Sequence, residues 1–200
     1  MHSAGTRLTG ILLAAGRGTR FDPTGEQNKL LQVLPSGQGV AEAAARNLLT
    51  VLPTVLAVVR PEHTALATQL RTIGCHVSLC THADEGMAAS LVHALAQTSD
   101  AHGWLIALAD MPNVQTVTIE ALSKAIRHDT DIAVPMYRGQ RGNPVAFGRA
   151  HLPDLLALRG DQGARQVLKT RPLIEVVTDD AGIMQDIDTI ADLVGGNERR

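Results

Sequence analysis

The sequence predicts an α/β fold in which helices cover both faces of a mixed, mostly parallel sheet. Short apolar runs alternate with segments of helical periodicity along the chain of 200 residues, which is typical of this class. The run Trp104–Ala109 is unbroken and apolar, as expected for a central parallel strand that is covered on both faces. A hairpin predicted between residues 132 and 147 makes the sheet mixed rather than wholly parallel.

The individual elements follow from apolar runs, helical periodicity and stop signals. Strands are predicted at residues 11–14, 54–59, 76–80, 104–109, 132–136, 144–147 and 173–177, and residues 138–142 form the turn of the hairpin. Helices are predicted at residues 40–51 and 117–127. Further helices open at Pro61, near Gly86 and after Asp161, and a short one ends near Val194.

The loop after the first strand combines glycine with positive charge. Gly16 and Gly18 let the backbone adopt positive φ and let a ligand approach bare N–H groups. Arg17, Arg20 and Lys29 add three cations close by in the sequence. A strand that ends in a glycine-rich, cationic loop predicts a site for a polyphosphate. An ordinary basic strand-to-helix turn is the alternative interpretation.

Two familiar phosphate-binding loops do not fit this stretch. A P-loop requires Gly-Lys followed by Ser or Thr, and the sequence has no such tripeptide. A dinucleotide-binding fingerprint requires a third glycine, and Phe21 stands where that glycine belongs. The loop therefore indicates polyphosphate binding of another kind.

Composition argues against several classes of partner. A net charge of −2 gives no overall attraction to nucleic acid or to an anionic membrane, and aromatic side chains for base stacking make up only 2% of the chain. No apolar run reaches the length of a membrane span. Cys75 and Cys80 fit no zinc motif and would point to opposite faces of a strand. Two unpaired thiols indicate a reducing compartment, so we expect a cytoplasmic protein that binds neither nucleic acid nor membrane.

Three aspartates are candidates for metal binding. Asp110 directly follows the central strand, where α/β sheets place their ligands, and a carboxylate there suits Mg²⁺. Capping of the next turn is the alternative role for Asp110. Asp186 and Asp188 alternate in an extended segment, so that one side can carry both carboxylates.

Two helix starts are candidate anion sites. The helix that begins near Gly86 offers free N–H groups at its N-terminus, although simple capping explains the same residues. Asp161 resembles an N-cap with Arg165 in the first turn of the following helix, and an exposed helix start with an arginine binds anions readily. A plain cap is the alternative at this second helix start.

Several segments carry a resemblance to a known family. The stretch Leu13–Arg20 with Lys29 resembles the signature of sugar-phosphate and cofactor nucleotidyltransferases. Leu108–Pro112, Arg141–Val145 and Gly160–Arg165 resemble further motifs of that family, in the same order. Together they are similar to the molybdenum cofactor cytidylyltransferases among the MobA-like NTP transferases. The resemblance implies a three-layer, Rossmann-like nucleotidyltransferase fold of the GT-A-like type.

The resemblance also implies a domain organisation and an activity. One domain would span residues 1–200, with a nucleotide-binding half at 8–112, an acceptor half at 113–194 and a tail at 195–200. The activity would be transfer of CMP from CTP to the terminal phosphate of molybdopterin, with release of pyrophosphate and Mg²⁺ as cofactor. Partners would be CTP, the molybdopterin cofactor, and a molybdoenzyme or its maturation factor. In this family Ala15 goes with cytosine, whereas glycine at the same place goes with guanine.

The motifs carry the family's roles to particular residues of this chain. The catalytic residues would be Arg17, Arg20, Lys29 and Asp110. The nucleotide would be bound by Leu13, Ala14, Ala15, Gly16, Gly18, Thr19, Gly86, Met87 and Ser90. The acceptor would be bound by Arg141, Gly142, Asn143, Pro144, Asp161 and Arg165. The metal would be bound by Asp110 together with Asp188 or Asp186.

Two departures from the family pattern leave other activities open. Asn143 stands where the family has a histidine, and it can form hydrogen bonds but cannot carry charge. The loop over residues 21–28 is longer than the family norm and lacks the usual Met-Gly. The alternatives are a guanylyltransferase, a CTP-dependent sugar- or polyol-phosphate transferase, and a non-catalytic cofactor-binding accessory protein for a molybdoenzyme. The presence of all three aspartates favours an enzyme.

Overall fold

A computed structural model describes residues 8–24, 27–160 and 163–194. Its strands are β1 (Thr9–Ala14), β2 (Val55–Val59), β3 (His76–Leu79), β4 (Gly103–Leu108), β5 (Ile132–Tyr137), β6 (Gln140–Arg141), β7 (Val145–Gly148) and β8 (Ile174–Val177). Its helices are α1 (Val40–Val51), α2 (Thr64–Thr72), α3 (Met87–Gln97), α4 (Thr116–Ala125), α5 (Leu152–Leu156), α6 (Arg165–Thr170) and α7 (Ile190–Val194). None of these helices is both long and apolar enough to cross a membrane.

The described strands form one mixed sheet in the order β3-β2-β1-β4-β7-β5-β6, and β8 also pairs with β5. The first four strands of this order run parallel, with Ile11 of β1 opposite Leu56 of β2 and Ile106 of β4. β7 runs antiparallel between β4 and β5, whereas β8 runs parallel to β5. The carboxyl ends of β1, β2 and β4 therefore meet at one edge, and the predicted mixed α/β class is confirmed.

The core lies on both faces of the sheet because strand side chains alternate in direction. On one face, Leu12 and Leu105 pack in a cluster with residues of α1, α2 and α4. On the other face, Ile11 and Ile106 pack with residues of α3, α5 and α6. The result is three layers, with apolar surface of the sheet buried on each side.

The structure corrects three details of the sequence prediction. The turn of the hairpin is shorter than residues 138–142: Arg138 and Gly139 both have positive φ, so the chain reverses within two residues and β6 pairs at once with β5. Helix α2 begins at Thr64 rather than at Pro61, because a turn closed by His63 N–H and Arg60 C=O comes first. The short helix α5 was not predicted.

The apolar residues of β4 are expected to be a main source of stability. Leu105 is fully buried on the central part of the sheet, whereas Val117 on α4 is 62% exposed. Leu105→Ala should lower the free energy of unfolding by about 2–5 kcal/mol, because a cavity remains in the core. Val117→Ala, the control, should change it by less than about 0.5 kcal/mol. Urea unfolding followed by circular dichroism measures both, and equal losses would contradict the assignment of Leu105 to the core.

Candidate active site

A cavity of about 700 Å³ opens where β1, β2 and β4 end. This volume lies within the range of small-molecule sites. The walls come from the glycine-rich loop after β1, the segments that follow β2 and β4, the N-terminus of α3, and the late segments around α6 and before α7. Both the predicted nucleotide-binding half and the predicted acceptor half therefore contribute residues to one cavity.

The structure brings most of the predicted site residues to this cavity. They are Leu13, Ala15, Gly16, Arg17, Gly18, Thr19, Arg20, Lys29, Gly86, Met87, Ser90, Asp110, Asn143, Arg165, Asp186 and Asp188. Four other predicted residues lie in described parts of the chain but are not part of this lining: Ala14, Arg141, Gly142 and Pro144. Ala14 is buried in the core, and Arg141 is exposed in β6. Asp161 lies outside the described residues.

An ammonium group held by two carboxylates lies in the cavity wall. Lys29 Nζ donates hydrogen bonds to Asp110 Oδ2 at 2.7 Å and to Asp188 Oδ1 at 3.2 Å. Arg20 donates to the other carboxylate oxygen of Asp188. Lys29 is only 8% exposed, so its charge needs these partners to offset the cost of burial.

Local backbone contacts place these three side chains. Lys29 begins a 3₁₀ turn whose N-cap, Asn28, accepts a hydrogen bond from Leu30 N–H at 3.0 Å. Asp110 follows β4, and its carbonyl oxygen accepts a hydrogen bond of 2.8 Å from Ile187 N–H. That bond ties the residue before Asp188 directly to the end of β4, which brings the two carboxylates together.

A buried aspartate anchors the segment that carries Asp186 and Asp188. Asp180 is 2% exposed and accepts hydrogen bonds from Gln115 N–H, the Thr118 hydroxyl and Gly182 N–H, at distances of 2.8, 2.8 and 2.9 Å. The late segment is therefore fastened to the start of α4. Sequence reasoning assigned no role to Asp180, although its position shortly before Asp186 is a weak signal.

The carboxylates fit a divalent cation that is shared with a substrate. Asp110 Oδ1 is buried and has no hydrogen-bond partner among the described residues. A buried carboxylate oxygen without a partner is available to bind a metal ion. No group of three or more His, Cys, Asp or Glu side chains in the described ranges is arranged to hold a metal. Mg²⁺ is commonly bound by one or two carboxylates together with substrate phosphates, and Asp110 and Asp188 supply such a pair.

A second ion cluster borders the glycine-rich loop and was not predicted from the sequence. Arg60 follows β2, is 6% exposed, and donates from Nε to the carbonyl oxygen of Ala15 at 2.8 Å. Asp84 Oδ1 accepts from Arg60 at 2.6 Å and from Arg17 at 2.8 Å. The hydrogen bonds from Arg60 and then Arg17 hold the pKa of the Asp84 carboxyl below its usual value. The sequence does contain a signal for Arg60, because a charged residue directly after a fully buried parallel strand lies where α/β sheets place their ligands.

The opposite wall is formed where α3 meets the segment before α6. Gly86 has φ of 110°, a conformation that favours glycine, and it leads directly into Met87 at the start of α3. Ala88 N–H donates to the carbonyl oxygen of Gly160 at 3.0 Å. A Cβ added at Gly163 would lie 3.0 Å from Met87 Sδ, so the two segments are in close contact. This contact brings Arg165 to the same cavity as Ser90.

The segment between β6 and β7 packs against residues that precede Asp186. A Cβ at Gly142 would lie 2.3 Å from the carbonyl oxygen of Ile183, so only glycine fits there. Asn143 N–H donates to the same carbonyl oxygen at 3.0 Å. Glycine at position 142 therefore allows this segment to pack closely against Ile183, and this packing places Asn143 at the cavity.

Comparison with known proteins identifies the family. Residues 10–176 match the family model for the MobA-like NTP transferase domain. The chain belongs to the MobA-like NTP transferase family. Purine catabolism protein PucB from Bacillus subtilis (strain 168) is 30% identical to it over an alignment of 199 residues. The alignment covers 91% of this chain and 92% of that protein.

Solved structures share the fold of this MobA-like transferase. Rv0371c from Mycobacterium tuberculosis H37Rv has a TM-score of 0.80 at 26% identity, covering 94% of this chain and 96% of that one. Its complex with manganese has a TM-score of 0.76 at 25% identity and the same coverage. Molybdopterin-guanine dinucleotide biosynthesis protein A from Archaeoglobus fulgidus has a TM-score of 0.65 at 18% identity, covering 93% and 95%. This MobA-like chain is thus a nucleotidyltransferase by family.

The Arg60 side chain is expected to stabilise the loop that precedes Gly16. Arg60→Met leaves the buried carbonyl oxygen of Ala15 without its donor, so the free energy of unfolding should fall by about 1–3 kcal/mol. Arg46→Met is the matched control, because Arg46 forms a surface pair with Glu42 on α1, and its loss should cost less than about 0.5 kcal/mol. Urea unfolding of the two variants measures the difference. Equal losses would show that the buried hydrogen bond carries no stability.

Proposed function

We propose that this chain transfers CMP from CTP to the terminal phosphate of molybdopterin and releases pyrophosphate. The observation that carries the proposal is the position of Lys29, Asp110 and Asp188 beside the glycine-rich loop of a large cavity. Cations suited to a triphosphate and carboxylates suited to a divalent cation meet there. The cavity also has room for a second, phosphorylated substrate.

The reaction is an in-line displacement that needs no strong base. An oxygen of the acceptor phosphate forms a bond to the α-phosphorus of CTP. The bond from that phosphorus to the oxygen bridging to the β-phosphate breaks, and pyrophosphate leaves with the electron pair. A phosphate monoester has a second pKa of about 6, so it is already an anionic nucleophile at neutral pH. The described residues that line the cavity include neither histidine nor cysteine, which fits chemistry by positioning and charge neutralisation.

The residues of the first loop would bind and stabilise the leaving group. Arg17, Arg20 and Lys29 all line the cavity, and their charges suit the phosphates of the nucleotide and the departing pyrophosphate. The N–H groups around Gly16 and Gly18 would add hydrogen bonds to the same phosphates. Fixed charges and dipoles of this kind stabilise negative charge as it develops on the leaving group.

The metal is proposed to be Mg²⁺, held by Asp110 and Asp188, with Asp186 nearby in the cavity lining. When bound, such an ion neutralises phosphate charge and orients the phosphates. The complex of Rv0371c with manganese is a precedent for a divalent metal in this fold. The two carboxylates keep their relative position through the hydrogen bond between Ile187 and Asp110.

Base and acceptor are assigned to different residues of the cavity lining. Ala15 is 5% exposed and lines the cavity, where its methyl group would narrow the base pocket and favour cytosine over guanine. Gly86, Met87 and Ser90 complete the proposed base and ribose side. Of the acceptor residues implied by the resemblance, Asn143 and Arg165 line the cavity.

The choice of molybdopterin rests on the sequence motifs that resemble the molybdenum cofactor cytidylyltransferases. The Archaeoglobus protein named for molybdopterin-guanine dinucleotide biosynthesis shares this fold, which supports the proposal of a molybdopterin acceptor. The two cysteines of the chain are free and buried, and we place the reaction in the cytoplasm.

Pyrophosphate release tests nucleotide, acceptor and reaction together. We expect release from CTP with Mg²⁺ only when molybdenum-loaded molybdopterin is present, and much slower release from GTP, ATP and UTP. A coupled pyrophosphate assay measures all eight conditions. Faster release with GTP would assign a guanylyltransferase. Nucleotide binding without turnover under every condition would favour the accessory-protein alternative.

The Asp110 carboxylate is expected to be essential for turnover. Asp110→Asn keeps the size of the side chain but removes its charge, so kcat should fall by about 10²–10³. Asp154→Asn is the control, because Asp154 pairs with Arg171 away from the cavity, and its kcat should stay near that of the unmodified protein. Steady-state pyrophosphate release measures both. A near-normal kcat for Asp110→Asn would overturn the site assignment.

A further inference from the structure

The structure assigns Lys29 a second role: its ammonium group competes with the divalent cation for Asp110 and Asp188, and a nucleoside triphosphate relieves that competition. The inference rests on the proposed function and adds an order of binding to it. The cation would be taken up together with the triphosphate, rather than before it.

The positions of the atoms support direct competition. Lys29 Nζ lies 2.7 Å from Asp110 Oδ2 and 3.2 Å from Asp188 Oδ1, so it occupies the space between the two carboxylates. A Mg²⁺ ion bound to the same two oxygens would lie about 2.0–2.1 Å from each. The ammonium group and the ion therefore cannot share that space.

The charges of the cluster support the same conclusion. Arg20 pairs with the second oxygen of Asp188, so the cluster contains two carboxylates, one guanidinium and one ammonium and is formally neutral. Among the described residues, only Asp110 Oδ1 of these four oxygens has no hydrogen-bond partner. A divalent ion at this cluster meets only one oxygen without a hydrogen-bond partner, and that oxygen is buried beside two cations. Its affinity for the protein alone should therefore be low.

The Lys29 side chain is placed to reach the phosphates as well. A Cβ built on Gly18 would lie 3.4 Å from Lys29 Cγ and 3.6 Å from its Cδ, so the lysine stem passes next to the glycine-rich loop. The stem is flexible and the ammonium group is a compact charge with three donors. A triphosphate bound at this loop offers anionic oxygens that attract the ammonium group away from the carboxylates. The freed oxygens then accept the cation.

This role gives a result that phosphate neutralisation alone would not give. If Lys29 only neutralises phosphates, removing its charge should leave metal binding in the absence of nucleotide unchanged. If Lys29 competes with the cation, removing its charge should increase the affinity for the metal. The expected gain is at least about tenfold, which equals about 1.4 kcal/mol.

Titration with Mn²⁺ alone, followed by electron paramagnetic resonance of the free ion, measures this affinity. Lys29→Met and Lys29→Gln should both bind Mn²⁺ at least about tenfold more tightly than the unmodified chain. Lys124→Met is the matched control, because Lys124 forms an exposed pair with Glu120 on α4, and it should leave the affinity unchanged. Adding Asp110→Asn to Lys29→Met should abolish the gain. Equal or weaker binding by both Lys29 variants would overturn the inference.

Two further measurements separate this result from folding and from the proposed function. Circular dichroism establishes that each variant is folded, and Lys29→Gln retains a hydrogen-bond donor if the methionine variant proves unstable. Mn²⁺ should raise the Tm of the Lys29 variants more than that of the unmodified chain. The titration contains no nucleotide or acceptor, so absence of CTP turnover would overturn only the proposed function. Normal CTP turnover by the unmodified chain, together with unchanged Mn²⁺ affinity in the Lys29 variants, would overturn only the competition.

Discussion

The buried ammonium group of Lys29 is the constraint on which the rest of the site depends. A charge that is only 8% exposed is costly unless it is paired, and its partners lie 81 and 159 residues further along the chain. Three distant segments must therefore converge: the 3₁₀ turn at Lys29, the end of β4 at Asp110, and the extended segment at Asp188. The hydrogen bond from Ile187 to Asp110 and the anchoring of Asp180 on α4 provide that convergence.

The strand order explains why this convergence occurs at a cavity. β1 lies between β2 and β4, so the loops that follow all three strands open at the same edge of the sheet. The antiparallel strand β7 pairs with β4 and starts just after Asn143, which returns the second half of the chain to that edge. Residues from both halves consequently line one cavity of about 700 Å³.

Electrostatic pairing is a shared feature of the cations in the first loop. Arg17 pairs with Asp84, Arg20 with Asp188, and Lys29 with Asp110 and Asp188. The positive charge of the loop is thus balanced locally, which agrees with a chain whose net charge is only −2. In the proposed reaction a triphosphate exchanges these carboxylate partners for its own oxygens, which links nucleotide binding to rearrangement of the ion pairs. Arg60 donates to the carbonyl oxygen of Ala15 and so fixes the start of the loop.

The sequence by itself determined the features that depend on residues close together in the chain. Apolar runs and helical periodicity predicted the α/β class, and glycines beside arginines predicted the loop after β1. The apolar run before Asp110 predicted a carboxylate at the end of a central strand. Only the tertiary structure decided the pairing of Arg60 with Asp84 and the burial of Lys29 between two aspartates. Those contacts join residues far apart in the chain, and no local periodicity or spacing encodes which distant side chains will meet.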